Sequence, residues 1–123
     1  MHACLMKINW QELHSSADVD AVVERSMVVP CLIFKHSTRC EISSIAKYRL
    51  ESDWGFEEKD MEAYYLDLLQ FRSVSTYISE LFAVYHESPQ ALLIDKGVCV
   101  FDVSHLDIRV DELTQALSSE YKS

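Results

Sequence analysis

One sulfur in this chain stands where a thiol can become a nucleophile. Leu32-Ile33-Phe34 is an apolar stretch, Lys35-His36-Ser37-Thr38-Arg39 a polar loop, and Cys40 then precedes an amphipathic helix pattern. That order puts Cys40 at the first turn of a helix that follows a buried strand. Helix N-termini carry unpaired backbone N–H groups and the positive end of the helix dipole, and both favour a thiolate over a thiol. A cysteine of ordinary pKa is only about 3% thiolate at neutral pH, and a drop of roughly two units makes it mostly thiolate. Lys35, His36 and Arg39 are expected to bring positive charge near it. His36 reads better as a hydrogen-bonding residue that shapes the turn than as a general base, and the Thr38 hydroxyl helps shape the loop.

Ser43 stands where a second cysteine would complete a C-x-x-C pair. A dithiol protein can attack its own mixed disulfide with that second sulfur; a hydroxyl has no comparable redox chemistry. The expected reaction is therefore of single-thiol type. Cys40 attacks a protein-bound mixed disulfide, takes the small thiol onto itself, and is regenerated by another thiol. Ser43 is expected to donate a hydrogen bond to the Cys40 sulfur. The other sulfurs read as quieter: Cys31 as a buried residue of an apolar strand, Cys99 as filler in a hairpin strand, and Cys4 as a thiol near the terminus, open to accidental oxidation.

The elements that must hold Cys40 follow from periodicity. Met27 to Lys35 reads as a central strand buried on both faces, with Pro30 at its start or at a bulge. Ile42, Ile45, Ala46 and Leu50 share one face of the next helix, which fades near Asp53-Trp54-Gly55. Ala63 to Leu69 is a second central strand. Ser73 is the expected N-cap of a helix with Val74, Tyr77, Ile78, Leu81 and Phe82 on its apolar face. Gln90 to Ile94 and Val98 to Val103 make a hairpin around Asp95-Lys96-Gly97, with glycine where a positive φ is needed. Asp111, Leu113, Leu117 and Tyr121 mark a closing helix. Upstream, Ile8-Asn9-Trp10 is a short, weak segment, and Ser15 with Asp18 resembles a capping box before a helix carrying Val19, Val22 and Val23.

The order α-β-α-β-α-β-β-α predicts one α/β domain over residues 1–123, thioredoxin-like, with a central mixed four-stranded sheet and helices on both faces. Such a fold needs a cysteine at the first turn after the first central strand and a cis proline just before the hairpin. Cys40 and Pro89 occupy those places. A cis bond at Pro89 leaves the backbone of Ser88 free to pair with an extended substrate.

Composition narrows the function. The chain of 123 residues has a net charge of −9, with 49% hydrophobic and 25% charged residues. No basic stripe exists to neutralise nucleic-acid phosphates, and the charge opposes an anionic membrane surface. With Gly55 and Gly97 the only glycines, a glycine-rich phosphate loop or dinucleotide fingerprint is excluded. Neither H-E-x-x-H nor G-x-S-x-G occurs. Met1 to Lys7 lack the basic head and apolar stretch of a signal peptide, so the expected location is the cytoplasm, where free thiols persist.

The segment Phe34-Lys35-His36-Ser37-Thr38-Arg39-Cys40-Glu41-Ile42-Ser43, with Glu87-Ser88-Pro89-Gln90 and Asp102-Val103-Ser104-His105, resembles the monothiol bacilliredoxin family of thioredoxin-like proteins. The likeness runs from Ile8 to about Leu117. It implies removal of bacillithiol, or a similar small thiol acting as co-substrate, from mixed disulfides on cytosolic proteins, with no bound cofactor or metal. It also implies nucleophile status for Cys40 and a substrate-facing loop at Ser88-Pro89; Thr38, Arg39 and Glu41 complete the expected substrate-binding face. The family loop often has proline after the cysteine. Here Glu41 replaces it, a carboxylate that repels a neighbouring thiolate yet suits a helix N-terminus.

Two readings from other classes stay open on the residues alone. A lone cysteine permits an iron–sulfur carrier of the monothiol glutaredoxin kind, although the glycine-rich C-G-F-S loop is missing. A non-catalytic thioredoxin-like binding module is the other.

Overall fold

The computed structural model describes residues 8–122. Its centre is strand β2 (Cys31–His36), every residue of which is buried. It lies between β3 (Glu62–Asp67), to which it is parallel, and β4 (Gln90–Asp95), to which it is antiparallel. The sheet continues outward to β1 (Trp10–Glu12) beside β3 and to β5 (Val98–Ser104) beside β4, giving the order β1-β3-β2-β4-β5. Five strands therefore replace the four expected. The additional one, β1, has three residues, too few for an alternating pattern to show. It is held by parallel pairing of Trp10 with Ala63, by stacking of the Trp10 indole on Phe34 at 5.7 Å, and by its Nε1–H donating to Glu51 at 2.8 Å.

Helices α1 (Ser16–Arg25) and α3 (Arg72–Phe82) cover one face, and α2 (Glu41–Asp53) and α4 (Val110–Lys122) the other. Strand alternation feeds two separate cores. Cys31 and Ile33 join Val19, Val22, Leu66, Val74, Ile78, Leu92 and Ile94 beneath α1 and α3. Leu32 and Phe34 join Ala46, Leu50, Trp54, Leu93, Ile108 and Leu113 beneath α2 and α4. Among the described residues no helix is long and apolar enough to cross a membrane.

Several boundaries shift for identifiable reasons. Met27 and Val28 are exposed and belong to the turn that ends α1, where Met27 N–H and Val28 N–H return to Glu24 and Arg25 carbonyls. β2 starts only after Pro30. α3 begins at Arg72 rather than after Ser73, because Asp67 Oδ1 accepts the N–H groups of Leu69 and Gln70 and turns the chain early. Its buried positions are Val74, Ser75 and Ile78; Leu81 is exposed. In α2, Ile42 and Ile45 lie outside, about 40% exposed, and the buried stripe is Ser43-Ala46-Leu50. The expected capping of α1 is present: Ser15 Oγ accepts Asp18 N–H at 3.2 Å. The hairpin turn is also as expected, with Lys96 at φ 54° and Gly97 at φ 83°. Ser26 at the end of α1 anchors that turn, its carbonyl accepting Lys96 N–H and its Oγ accepting Gly97 N–H.

Candidate active site

Cys40 is the N-cap of α2, with extended backbone angles and a half-buried side chain. Its carbonyl accepts the N–H of Ser44, and the N–H groups of the first helical turn lie just beyond it. The chain reaches this position through a tight loop in which Cys40 N–H donates to the Ser37 carbonyl at 3.1 Å. Thr38, Arg39 and Glu41, which flank Cys40 in the chain, are all exposed. Arg39 has no carboxylate partner among the described residues.

Beneath the loop lies Ser43, fully buried. Its Oγ accepts the Ser37 N–H at 3.0 Å and lies 2.6 Å from His36 Nδ1. Since that oxygen accepts from Ser37, its own proton fits a bond to an unprotonated Nδ1, leaving the His36 proton on Nε2. The structure thus assigns the Ser43 hydroxyl to His36 and Ser37 and records no bond from it to the Cys40 sulfur, contrary to expectation. His36 is itself buried, stacked on Phe34 at 5.8 Å and tilted against Tyr65 at 5.6 Å. Burial, followed by the Lys47 charge, lowers its pKa and favours the neutral ring that this bonding needs. His36 accordingly shapes the loop, as its position suggested.

Lys35 departs furthest from expectation. It does not face Cys40. One strand position from His36, it points with Cys31 and Ile33 into the α1–α3 layer. There it is fully buried, and its Nζ donates to the Ser75 carbonyl at 3.2 Å and Ser79 Oγ at 3.1 Å and approaches His86 Nδ1 at 3.3 Å. Nothing in the sequence pattern marked His86 as part of this network. The parity of Lys35 with Ile33, within the strand that the sequence already ends at Lys35, is the available signal.

The Ser88-Pro89 peptide bond is cis. Gln90 pairs with Lys35 across the β2–β4 ladder, which brings Pro89 alongside the end of β2 where the Cys40 loop departs. Pro89 is buried and Ser88 half-buried. Among the described residues the Ser88 N–H and carbonyl make no hydrogen bond. The loop is held around them: Gln90 Nε2 donates to the Tyr85 carbonyl at 2.8 Å, and His105 N–H to the Pro89 carbonyl at 3.1 Å. His105, at φ 58°, also places its Nε2 3.4 Å from Glu87 Oε1, tying the end of β5 to this loop.

The remaining described sulfurs lie at the other end of the sheet. Cys31 and Cys99 both flank Ile94, whereas the Cys40 loop leaves beside Gln90. Four strand residues separate those levels, about 13 Å. Burial, then the Glu62 charge, pushes the Cys31 thiol up to about 12; burial pushes Cys99 up to about 11. Cys4 falls outside the described residues.

A half-exposed cysteine capping a helix, set beside a cis proline on a β1-β3-β2-β4-β5 sheet, defines a thiol redox protein of the thioredoxin fold. Comparison carries this further. Residues 11–113 match the family described as monothiol bacilliredoxin BrxC, and the chain belongs to that family. A solved structure described as a candidate oxidoreductase with a thioredoxin fold is 33% identical, with 94% of this chain and 97% of the other covered and a TM-score of 0.77. Thioredoxin from Trypanosoma brucei brucei shares 12% identity over 100% of this chain and 98% of its own, at a TM-score of 0.73. Malassezia sympodialis thioredoxin shares 13% over 92% and 91%, at 0.71. At such identities the two thioredoxins speak to the fold alone.

Proposed function

We propose that this protein removes a low-molecular-weight thiol, bacillithiol by family resemblance, from mixed disulfides on cytosolic proteins. One observation carries the reading: Cys40 is partly open at the start of α2 beside Pro89, while Cys31 and Cys99 sit at the far end of the sheet. In the first step the Cys40 thiolate attacks the small-thiol sulfur of the mixed disulfide. The Cys40–small-thiol disulfide forms, the old disulfide breaks, and the target's thiolate leaves and takes a proton. In the second, another small thiol attacks that disulfide, releasing the Cys40 thiolate and a disulfide of two small thiols. That second thiol is the reductant, and no bound cofactor or metal is used.

Ser43 acts as a positioning residue through His36 and Ser37. The unpaired backbone of Ser88 suits pairing with an extended substrate strand beside Pro89, and Thr38, Arg39 and Glu41 form the rim that an S-thiolated protein meets. Neither nucleic acid nor membrane is a partner, and the place of action is the cytoplasm. The test is transfer of mass. One carrier protein, bacillithiolated or glutathionylated, is mixed with the wild type, Cys40→Ser and Cys99→Ser, and adducts are mapped by mass spectrometry. The added thiol is expected on Cys40, preferentially from the bacillithiolated carrier. Transfer is lost in Cys40→Ser and kept in Cys99→Ser; equal activity of these two variants ends the assignment.

A further inference from the structure

An open groove of about 420 Å³ lies along α3, lined by Leu68, Arg72, Ser75, Thr76 and Ser79, with His86 opposite. That size falls among small-molecule sites, roughly 300–1,000 Å³. Leu68 N–H donates to the His36 carbonyl at 3.0 Å, and His86 stands three residues before Pro89. The groove therefore opens at the same end of the sheet as Cys40.

Its chemistry is unusual for a chain of net charge −9. Behind the wall is the Lys35 ammonium, fully buried, whose three neighbours, the Ser75 carbonyl, Ser79 Oγ and His86 Nδ1, are all uncharged. A buried cation without a carboxylate leaves its charge felt next door. Because the Lys35 ammonium can only donate, His86 Nδ1 accepts from it and the ring proton belongs on Nε2, which has no partner among the described residues. Arg72 is exposed and likewise unpaired among the described residues. The one carboxylate of the lining, Glu80, lies two helical turns from Arg72, about 12 Å along the axis. Of the lining charges, the positive one is thus at Arg72 and the negative one at the far end, while Glu87, next to His86, is turned to His105 Nε2 at 3.4 Å.

We propose that this groove recognises the small thiol of an incoming mixed disulfide through a carboxylate, which sits between Arg72 and His86. The proposal rests on the reading of Cys40 as the exchange nucleophile.

The experiment compares two mixed disulfides of one single-cysteine carrier protein, made with mercaptosuccinate (two carboxylates) and mercaptoethanol (neutral). Transfer to Cys40 is timed by acid quench and mass spectrometry for the wild type, Arg72→Ala, His86→Gln and the distant control Lys59→Ala. The ratio of the mercaptosuccinate rate to the mercaptoethanol rate is expected to fall at least fivefold in Arg72→Ala and His86→Gln and to hold in Lys59→Ala. An unchanged ratio in Arg72→Ala, an exposed residue whose loss leaves the fold intact, overturns the proposal. Succinate, which has no sulfur, is titrated separately while the His86 imidazole shifts are followed by NMR. If neither carrier transfers its thiol, the nucleophile reading has failed and this titration decides alone. Saturable shifts abolished in Arg72→Ala support the groove as a carboxylate site, and their absence rejects it.

Discussion

Cys31 and Cys40 bracket the same strand and meet opposite fates. Cys31 opens β2, is fully buried, and has its sulfur 3.3 Å from the Val29 carbonyl. Cys40 follows the strand's other end, half-buried, at the mouth of a helix. Nine positions apart, the two side chains differ in nothing but surroundings. Burial penalises a thiolate inside the α1–α3 core, whereas the loop after His36 brings a thiol out among unpaired N–H groups. Reactivity here is a matter of where the strand stops.

The largest expected effect tests that contrast directly. In native protein at pH 7.5, iodoacetamide should modify Cys40 on the order of 1,000-fold faster than Cys31. Peptide mapping over a time course measures it, and comparable rates would break the comparison. Next is the support under Cys40. Ser43→Ala leaves the buried Ser37 N–H and His36 Nδ1 without their shared partner. A loss of about 1–3 kcal/mol is expected in urea unfolding, with slower alkylation and exchange at Cys40 as the loop loosens.

The smallest effect is a pH dependence with two opposing parts. Burial lowers the Lys35 pKa from 10.5 to about 8. Above pH 8 the unfolded chain still holds that proton and the folded chain has released it, so stability rises with pH from there. Cys31 and Cys99 act the other way: their folded pKa values of about 12 and about 11 lie above the ordinary 9.0, so stability falls as pH climbs past 9. The unfolding free energy should gain about 0.5 kcal/mol between pH 7.5 and 9, the Lys35 rise being partly offset by the two thiols, and then decline. Lys35→Met should abolish the rise and Cys31→Ala should soften the decline. Urea titrations across that range give both slopes, and a rise that persists in Lys35→Met would show that other groups drive it.

Much of this arrangement was legible in the residues. Cys40 after an apolar run, Pro89 before a hairpin, and Gly97 in its turn each have a local signature, and all three lie where those signatures put them. The misreadings share a cause, which is that a partner elsewhere in the fold decides the outcome. Ile42 and Ile45 have the right spacing for a buried stripe. Ser43 took the inside instead, because the end of β2 offers it His36 and the Ser37 N–H. Lys35 reads as the end of the strand and the start of the polar loop at once; the strand runs one residue beyond it, to His36, and parity sends its ammonium across the sheet to Ser75, Ser79 and His86 rather than toward Cys40. β1 is a strand only because β3 exposes an edge for it and Phe34 a surface for Trp10.

The commitment of Ser43 beneath the loop has a kinetic meaning. With an alcohol wedged there, and the other described cysteines a strand's length off, a guest bonded to Cys40 meets no second thiol among the described residues to displace it. On the proposed reaction, the length of each occupancy would then be set by the surrounding solution, and the protein would gauge how much free reductant is present.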